Sequence, residues 1–372
     1  MAILATGLLL SLRRATHDEL MPVAVTHELK GLAILAIVFA HISFMLVTDF
    51  RFLYPLALGA GVGVDLFLFI SGFGLTVGML KKPLAVLPFY RRRLLRLFIP
   101  LWVVLTALFA ADAAFLGRSY SAAYVLQSFL GIYPSAIPTD DVNSPFWYVS
   151  WILLFYALFP LLFMARRPWL TAMLLAMIAN LVAIVNPLHW QASWLHQLHT
   201  NAFSIGMLFA WVLQVRDDSS GRVAAVLRRL RAGERLPPTA RYVLLAALAA
   251  GAAYLAAYNE EWHWPRLAEF LRVAGFSEHF FIGQATSLLA TAAAVLFFTL
   301  KRLECRLLRV FGVYSYETYL MHWPLMARYD LFFRYLPAWL AVIVWLAAFL
   351  AIGGLLQRIT TPVNRWLDAP VR

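Results

Sequence analysis

The sequence predicts an all-α polytopic membrane protein with about ten transmembrane helices and with both termini in the cytoplasm. Three observations predict this class: the composition, the spacing of apolar windows, and the distribution of basic residues. Of the 372 residues, 62% are hydrophobic and 13% are charged, and the mean hydropathy is +0.75. Since a soluble protein of this length carries about 25% charged residues, little of the chain is expected outside the membrane.

Ten apolar windows account for the predicted helices, because each is long enough to cross a hydrocarbon core of about 30 Å. An even number of crossings places both termini on the same side of the membrane. The windows lie at approximately 31–48, 57–79, 97–116, 145–164, 169–186, 198–215, 241–258, 281–300, 308–327 and 336–356.

The basic residues predict which side that is. Of the 31 lysines and arginines, 25 fall on the side that holds both termini and 6 fall on the other side. Lysine and arginine are enriched in cytoplasmic loops, so both termini are predicted to be cytoplasmic. This placement also accounts for the net charge of +12, so we expect membrane lipids around the protein and no nucleic-acid partner.

Three segments make up the predicted domain organisation. Residues 1–25 are a poorly defined N-terminal extension; their apolar start lacks a basic leading region and is therefore a poor signal peptide. Residues 26–358 form one membrane domain of ten helices, and residues 359–372 form a cytoplasmic tail. Cys305 is the single cysteine, so an intramolecular disulfide bond is excluded.

His41 is the first candidate catalytic residue. It lies near the middle of the first apolar window. An ionisable side chain at that depth is costly to bury and usually faces the interior of a helix bundle or a water-filled cavity. Imidazole also exchanges protons near neutral pH, which suits general acid–base chemistry.

Two carboxylates, Asp65 and Glu317, also fall inside apolar windows, where an unpaired acid is costly. Either could orient the His41 imidazole, as the third member of a catalytic triad does, and the sequence does not choose between them. His322 lies five residues after Glu317, so the two side chains are about 140° apart around a helix and are not expected to face each other.

Arg93 and Arg96 lie one helical turn apart where the third window enters the membrane. Guanidinium groups match the oxygens of phosphate, so this pair suits an anionic ligand, although arginines at a cytoplasmic boundary are also an ordinary topology signal. Trp147 and Trp151 open the fourth window from the outer side. They suit either an interfacial aromatic belt or the stacking of a sugar ring.

Five clusters in this order resemble the integral-membrane acyltransferase 3 family over roughly residues 26–356. Two departures stand out: a lysine occupies the position of the usual arginine before the histidine, and Trp151 begins an apolar run where many members carry glutamate after Ser150. The matching residues are Lys30 and His41, separated by ten residues; Ser71-Gly72-Phe73; Arg93 and Arg96; the segment around Ser150; and Ser315-Tyr316, Tyr319 and His322.

The resemblance implies a membrane O-acetyltransferase in a bacterial inner membrane. Such an enzyme moves an acetyl group from cytosolic acetyl-CoA to a hydroxyl of a glycan, a lipid-linked sugar or another acceptor, and no metal is expected. His41 is the implied general base, assisted by Asp65 or Glu317. The remaining implied sites are acyl-CoA binding by Lys30, Ser71, Arg93, Arg96 and Tyr316, and acceptor binding by Trp147, Trp151 and His322.

A proton-coupled transporter or flippase is the alternative, with His41, Asp65 and Glu317 as a proton relay. Transporters of this kind commonly contain inverted repeats. Residues 31–186 and 198–356 show no convincing match to each other. The arginine pair also has no special purpose in a transporter, so the sequence favours acyl transfer.

Overall fold

The computed structural model describes residues 2–14, 21–47, 52–53, 59–137, 140–214, 238–258, 278–301 and 303–368. Most of these residues are helical, and eight helices among them are long and apolar enough to cross a membrane. The predicted class, an all-α polytopic membrane protein, is confirmed.

The helices of the described residues are named here in chain order. They are α1 (Ala2–Leu10), α2 (Val23–His41), α3 (Ala60–Lys81), α4 (Val86–Leu116), α5 (Ala122–Phe129), α6 (Trp147–Leu162), α7 (Pro168–Val185), α8 (Ser193–Gln197), α9 (Ala202–Gln214), α10 (Pro238–Tyr258), α11 (Glu278–Leu300), α12 (Arg306–Val313), α13 (Ser315–Trp323) and α14 (Ala338–Asp368). Two π-helical segments follow α2 and α13 directly, π1 (Ile42–Leu46) and π2 (Pro324–Arg328).

Eight of the ten predicted windows overlap one of the eight long helices, and the other two windows do not. In the window at 198–215 the described helix α9 has only 13 residues. The window at 308–327 is divided into α12, α13 and π2, so the expectation of one continuous span there is wrong. Proline lacks a backbone N–H and cannot continue the α-helical ladder, and Pro324 stands where α13 gives way to π2.

The N-terminal residues pack against the membrane domain. Strand β1 (Leu12–Arg14) pairs antiparallel with strand β2 (Leu303–Cys305). Close by, Glu28 of α2 is fully buried, and its Oε1 accepts hydrogen bonds from Lys301 Nζ at 2.7 Å and from the backbone N–H of Cys305. Pairing is the condition under which a charge is tolerated in such a position.

Helices α2 and α12 cross at very short range. A Cβ atom at Gly31 would overlap the carbonyl oxygen of Leu308, and a Cβ atom at Gly312 would overlap the carbonyl oxygen of His27. Small residues at helix crossings allow this approach inside membranes. The crossing fixes the Lys30 end of α2 against the start of α13, and these two helices carry most of the predicted site.

Replacing Gly312 with alanine is expected to destabilise the protein by about 1–3 kcal/mol, because the added methyl group meets a backbone atom that cannot rotate away. The thermal unfolding of the detergent-purified protein measures this effect. Gly74→Ala in α3 is the matched control, because a Cβ atom there meets no described atom within 4 Å. Alanine favours helix over glycine by about 1 kcal/mol, so Gly74→Ala should not lower the unfolding temperature; equal losses in both variants would contradict the close crossing.

Candidate active site

Two histidines from opposite halves of the chain meet inside the bundle. His41 ends α2, and His322 lies one residue before the end of α13. His41 Nδ1 and His322 Nε2 are 2.9 Å apart, and the two rings are nearly parallel, with an interplanar angle of 9°. His322 is fully buried, His41 is partly exposed, and the edge of Trp323 packs against the His41 ring. The structure therefore places the predicted acceptor-binding residue His322 on the predicted base.

Both histidines stand where an α-helix changes into a π-helical segment. Segments π1 and π2 contact each other, and π-helical turns are rare elements that occur frequently at functional sites. Because Pro324 has no N–H, the carbonyl of Leu320 has no helical donor one turn later. The side-chain amide of Asn143 donates to that carbonyl at 2.9 Å instead.

The second ring nitrogen of His322 faces its own helix. Nδ1 lies 2.9 Å from the carbonyl oxygen of Tyr319 and 3.3 Å from that of Thr318. These contacts hold the His322 ring in the orientation that presents Nε2 to His41.

Asp65 pairs with His199 and not with His41. Its Oδ1 lies 2.8 Å from His199 Nδ1, and both side chains are buried. Its other oxygen hydrogen-bonds no described residue. In this structure the Asp65 carboxylate is directed at His199, so it does not orient His41 here, and a catalytic role of Asp65 stays a prediction.

Glu317 also lies away from His41. It is buried in the first turn of α13, where its charge interacts with Lys30. On the other side it packs against Gly353 of α14. Glu317 and His322 face different parts of the molecule, as expected from their spacing. The hydrogen-bond partner of His41 is His322 and neither of the two predicted carboxylates.

A cavity of about 300 Å³ lies between α2, α3, α4, α6 and α13. All five side chains predicted to bind acyl-CoA line this cavity, although they come from four different helices. They are Lys30, Ser71, Arg93, Arg96 and Tyr316, accompanied by Phe67, Leu97, Tyr148, Val149, Ile152, Tyr156, Ser315 and Tyr319. The cavity is thus basic at the α2–α4 side and lined by hydroxyl groups and aromatic rings elsewhere.

A tyrosine connects two walls of this cavity. The Tyr316 hydroxyl donates to the carbonyl of Leu97 at 2.6 Å, which joins α13 to α4. Tyr148 of α6 and Ser71 of α3 line the same cavity. The Tyr316 bond therefore holds two of the cavity walls together.

His41 itself does not line the cavity. Tyr319 does, and its ring lies 6.2 Å from the ring of His322. The Tyr319 hydroxyl donates to the carbonyl of Pro145. Tyr319 therefore lies between the cavity and His322, and His322 in turn contacts His41.

The two tryptophans predicted to stack on an acceptor are buried. Trp151 is 2% exposed, and its ring is parallel to that of His196 with the centroids 4.6 Å apart. Trp147 is 8% exposed and stacks on His199. Because histidines stack on both rings, the two indoles offer an acceptor little free surface in this structure, and their role in acceptor binding stays a prediction.

An ion pair attaches π2, the segment that follows the His322-bearing helix α13, to α4. Arg328 of π2 forms a buried ion pair with Asp112 of α4 and also donates to the carbonyl of Asp141. Asp112 accepts further hydrogen bonds from the hydroxyls of Tyr120 at 2.5 Å and Tyr329 at 2.7 Å. Burial, together with the Asp112 carboxylate, raises the pKa of Tyr120, so its hydroxyl remains a donor.

Sequence reasoning did not identify several contacts of the site. The pairing of Asp65 with His199 joins residues far apart in the chain and has no local signal. Asn143 also went unnoticed, although Pro324 signals a carbonyl that needs a donor from elsewhere. Tyr148 and Tyr156 line the cavity, whereas in the sequence they stand out only as members of an aromatic cluster.

The site thus combines a hydrogen-bonded histidine pair with a basic cavity inside membrane helices. A family model described as an acyltransferase domain, Acyl_transf_3, matches residues 29–358. The chain therefore belongs to the acyltransferase 3 family, in agreement with its motifs. No curated protein and no solved structure matches the chain significantly.

Replacing Arg328 with methionine is expected to lower the free energy of unfolding by about 3–5 kcal/mol, because the substitution leaves the Asp112 carboxylate buried without its cation. Denaturant or thermal unfolding in detergent measures the loss. Arg334→Met is the matched control: Arg334 is exposed six residues later, and surface substitutions usually change stability by less than about 0.5 kcal/mol. Similar stability of the two variants would show that the ion pair contributes little.

Proposed function

We propose that the protein is an acyl-CoA-dependent O-acyltransferase that moves an acetyl group from cytosolic acetyl-CoA to a hydroxyl of a glycan or glycolipid. One observation carries the proposal: a cavity lined by three cationic side chains reaches Tyr319, whose ring contacts His322 of the His41–His322 pair. Membership in the acyltransferase 3 family supports the reaction class.

The basic side of the cavity suits the anionic part of CoA. Lys30, Arg93 and Arg96 provide one ammonium and two guanidinium groups there, and the guanidinium fork matches phosphate oxygens. A cavity of about 300 Å³ is at the lower limit for ligand sites. We therefore assign the pantetheine arm and thioester to the cavity, and the nucleotide to its basic rim on the side predicted to be cytoplasmic.

The length of α2 sets the reach of the donor. Lys30 and His41 lie on the same continuous helix, and eleven residues at about 1.5 Å each give a separation of about 16 Å. An extended pantetheine arm has this order of length. Ser71 and Tyr316, which line the cavity, are placed to contact the arm along the way.

His41 supplies the acid–base chemistry. Acyl transfer to an alcohol requires removal of the hydroxyl proton and polarisation of the thioester carbonyl. His41 takes the proton as the oxygen attacks the carbonyl carbon, and the carbon–sulfur bond breaks. The same imidazole then gives this proton to the departing thiolate, so the products are the ester and free CoA.

The acceptor approaches His41 from the side away from the basic rim. His41 is partly exposed, whereas the indoles of Trp147 and Trp151 are covered, so we do not assign the sugar to those rings. We assign the acceptor to the outer face of a bacterial inner membrane, because the excess of basic residues predicts that the opposite side is cytoplasmic.

A proton relay through His41, Asp65 and Glu317 has no support from these contacts. Asp65 is bonded to His199, and Glu317 interacts with Lys30. His41, Asp65 and Glu317 thus interact with three different residues, His322, His199 and Lys30. Among the described residues they form no chain of hydrogen bonds with one another.

Two substitutions test the proposal through the release of free thiol from acetyl-CoA by purified protein with candidate glycan acceptors. His41→Ala is expected to lower kcat at least about 100-fold, because the general base is lost. Arg93→Ala is expected to raise the KM for acetyl-CoA about 10- to 100-fold, which corresponds to one charged hydrogen bond to phosphate.

Arg92→Ala is the matched control for Arg93→Ala, since Arg92 precedes it on α4 but does not line the cavity. Its KM for acetyl-CoA should remain close to that of the unmodified protein. Full turnover by His41→Ala would exclude His41 as the base, and equal KM values for the Arg92 and Arg93 variants would exclude the basic rim as the donor site.

A further inference from the structure

The hydrogen bonds of His322 define where its proton lies. In a neutral imidazole one ring nitrogen donates and the other accepts. His322 Nδ1 faces the carbonyl oxygens of Tyr319 and Thr318, which can only accept. Nδ1 therefore carries the hydrogen, and Nε2 of the neutral ring presents a lone pair.

This assignment determines the tautomer of His41. His41 Nδ1 lies 2.9 Å from the lone pair of His322 Nε2, so Nδ1 must be the donor. The ring centroids are 5.1 Å apart and the planes differ by only 9°. The two facing nitrogens consequently lie close to the line that joins the ring centres, as an in-plane hydrogen bond requires.

We infer that His322 is a positioning residue that holds His41 as the Nδ1–H tautomer and so makes His41 Nε2 the nitrogen that exchanges protons with the substrates. The inference rests on the proposed function, since it concerns the same base. It replaces the predicted role of His322 in acceptor binding, because both nitrogens of His322 are already engaged within the protein.

The proton that His41 takes from the acceptor hydroxyl is returned to the thiolate of CoA, so the imidazole ends the reaction as it began. As the acceptor oxygen bonds to the thioester carbon, its proton moves to His41 Nε2, and the imidazolium keeps its Nδ1–H bond to His322. When the carbon–sulfur bond breaks, the proton passes from Nε2 to the thiolate. In a serine protease triad an aspartate holds the histidine in this way; here the partner is neutral and adds no negative charge beside the imidazolium.

A matched pair of substitutions at His322 tests this role. Glutamine and methionine have similar length and shape, but only glutamine offers an oxygen that accepts a hydrogen bond from His41 Nδ1. We expect kcat of His322→Met to fall about 100-fold, as when much of a general-base contribution is lost, and kcat of His322→Gln to exceed it at least tenfold. The KM for acetyl-CoA should change less than about twofold in both variants, because the cationic rim is intact.

The two hypotheses fail in different ways in this experiment. If the glutamine and methionine variants have equal kcat while His41→Ala is inactive, the positioning role of His322 is overturned and the base remains. If His41→Ala itself turns over normally, the proposed function loses its base, whatever the His322 variants do.

A measurement on the unsubstituted protein covers the case in which a His322 variant does not fold. Nitrogen-15 NMR of histidine-labelled protein in bilayers distinguishes the two neutral tautomers, and the signals absent from His41→Ala belong to His41. We expect a protonated Nδ1 and an unprotonated Nε2 for His41. A protonated Nε2 beside an unprotonated Nδ1 would overturn the inference.

Discussion

The hydrogen bond between His41 and His322 is the interaction on which the organisation of the site depends. It joins α2 near the start of the membrane domain to α13 near its end, and each histidine stands next to a change from α- to π-helical geometry. His322 is buried and His41 is partly exposed, and a buried ring nitrogen needs a hydrogen-bond partner. The carbonyls of α13 satisfy one nitrogen, the pair satisfies two more, and a single lone pair is left for chemistry.

The rest of the domain brings these two helices together and keeps them there. The crossing at Gly31 and Gly312 lets the backbones of α2 and α12 touch, and the pairing of Glu28 with Lys301 ties the same end of α2 to the segment before α12. At the opposite end Arg328 and Asp112 attach π2 to α4. The cavity lies between these two fixed ends, so its lining can keep a defined shape within a fluid membrane.

The sequence predicted the features that local physics determines. Long apolar windows located eight of the helices, and the cost of burying an ionisable group singled out His41. The residues of the cavity were predicted as separate motifs, because Lys30, Ser71 and Arg93 each belong to a local pattern. Whether they bind acyl-CoA stays a prediction, although their common location is an observation.

The sequence could not supply the pairing of side chains across the bundle. A histidine and a carboxylate attract each other wherever the fold brings them together, so Asp65 was equally compatible with His41 and with His199. The division of the ninth window arose from Pro324 and from a turn at Tyr314, whose effects hydropathy does not register. Burial likewise removed Trp147 and Trp151 from the surface where aromatic residues at a membrane boundary are usually found.

The amide of Asn143 that satisfies the Leu320 carbonyl has a mechanical consequence. Asn143 belongs to the connection between α5 and α6, whereas Leu320 is part of the helix that carries His322. A displacement of this connection withdraws the Asn143 donor from a carbonyl that Pro324 cannot serve, and so loosens the helix two residues before His322. The alignment of the two histidines thus depends on a segment outside the helices that carry them.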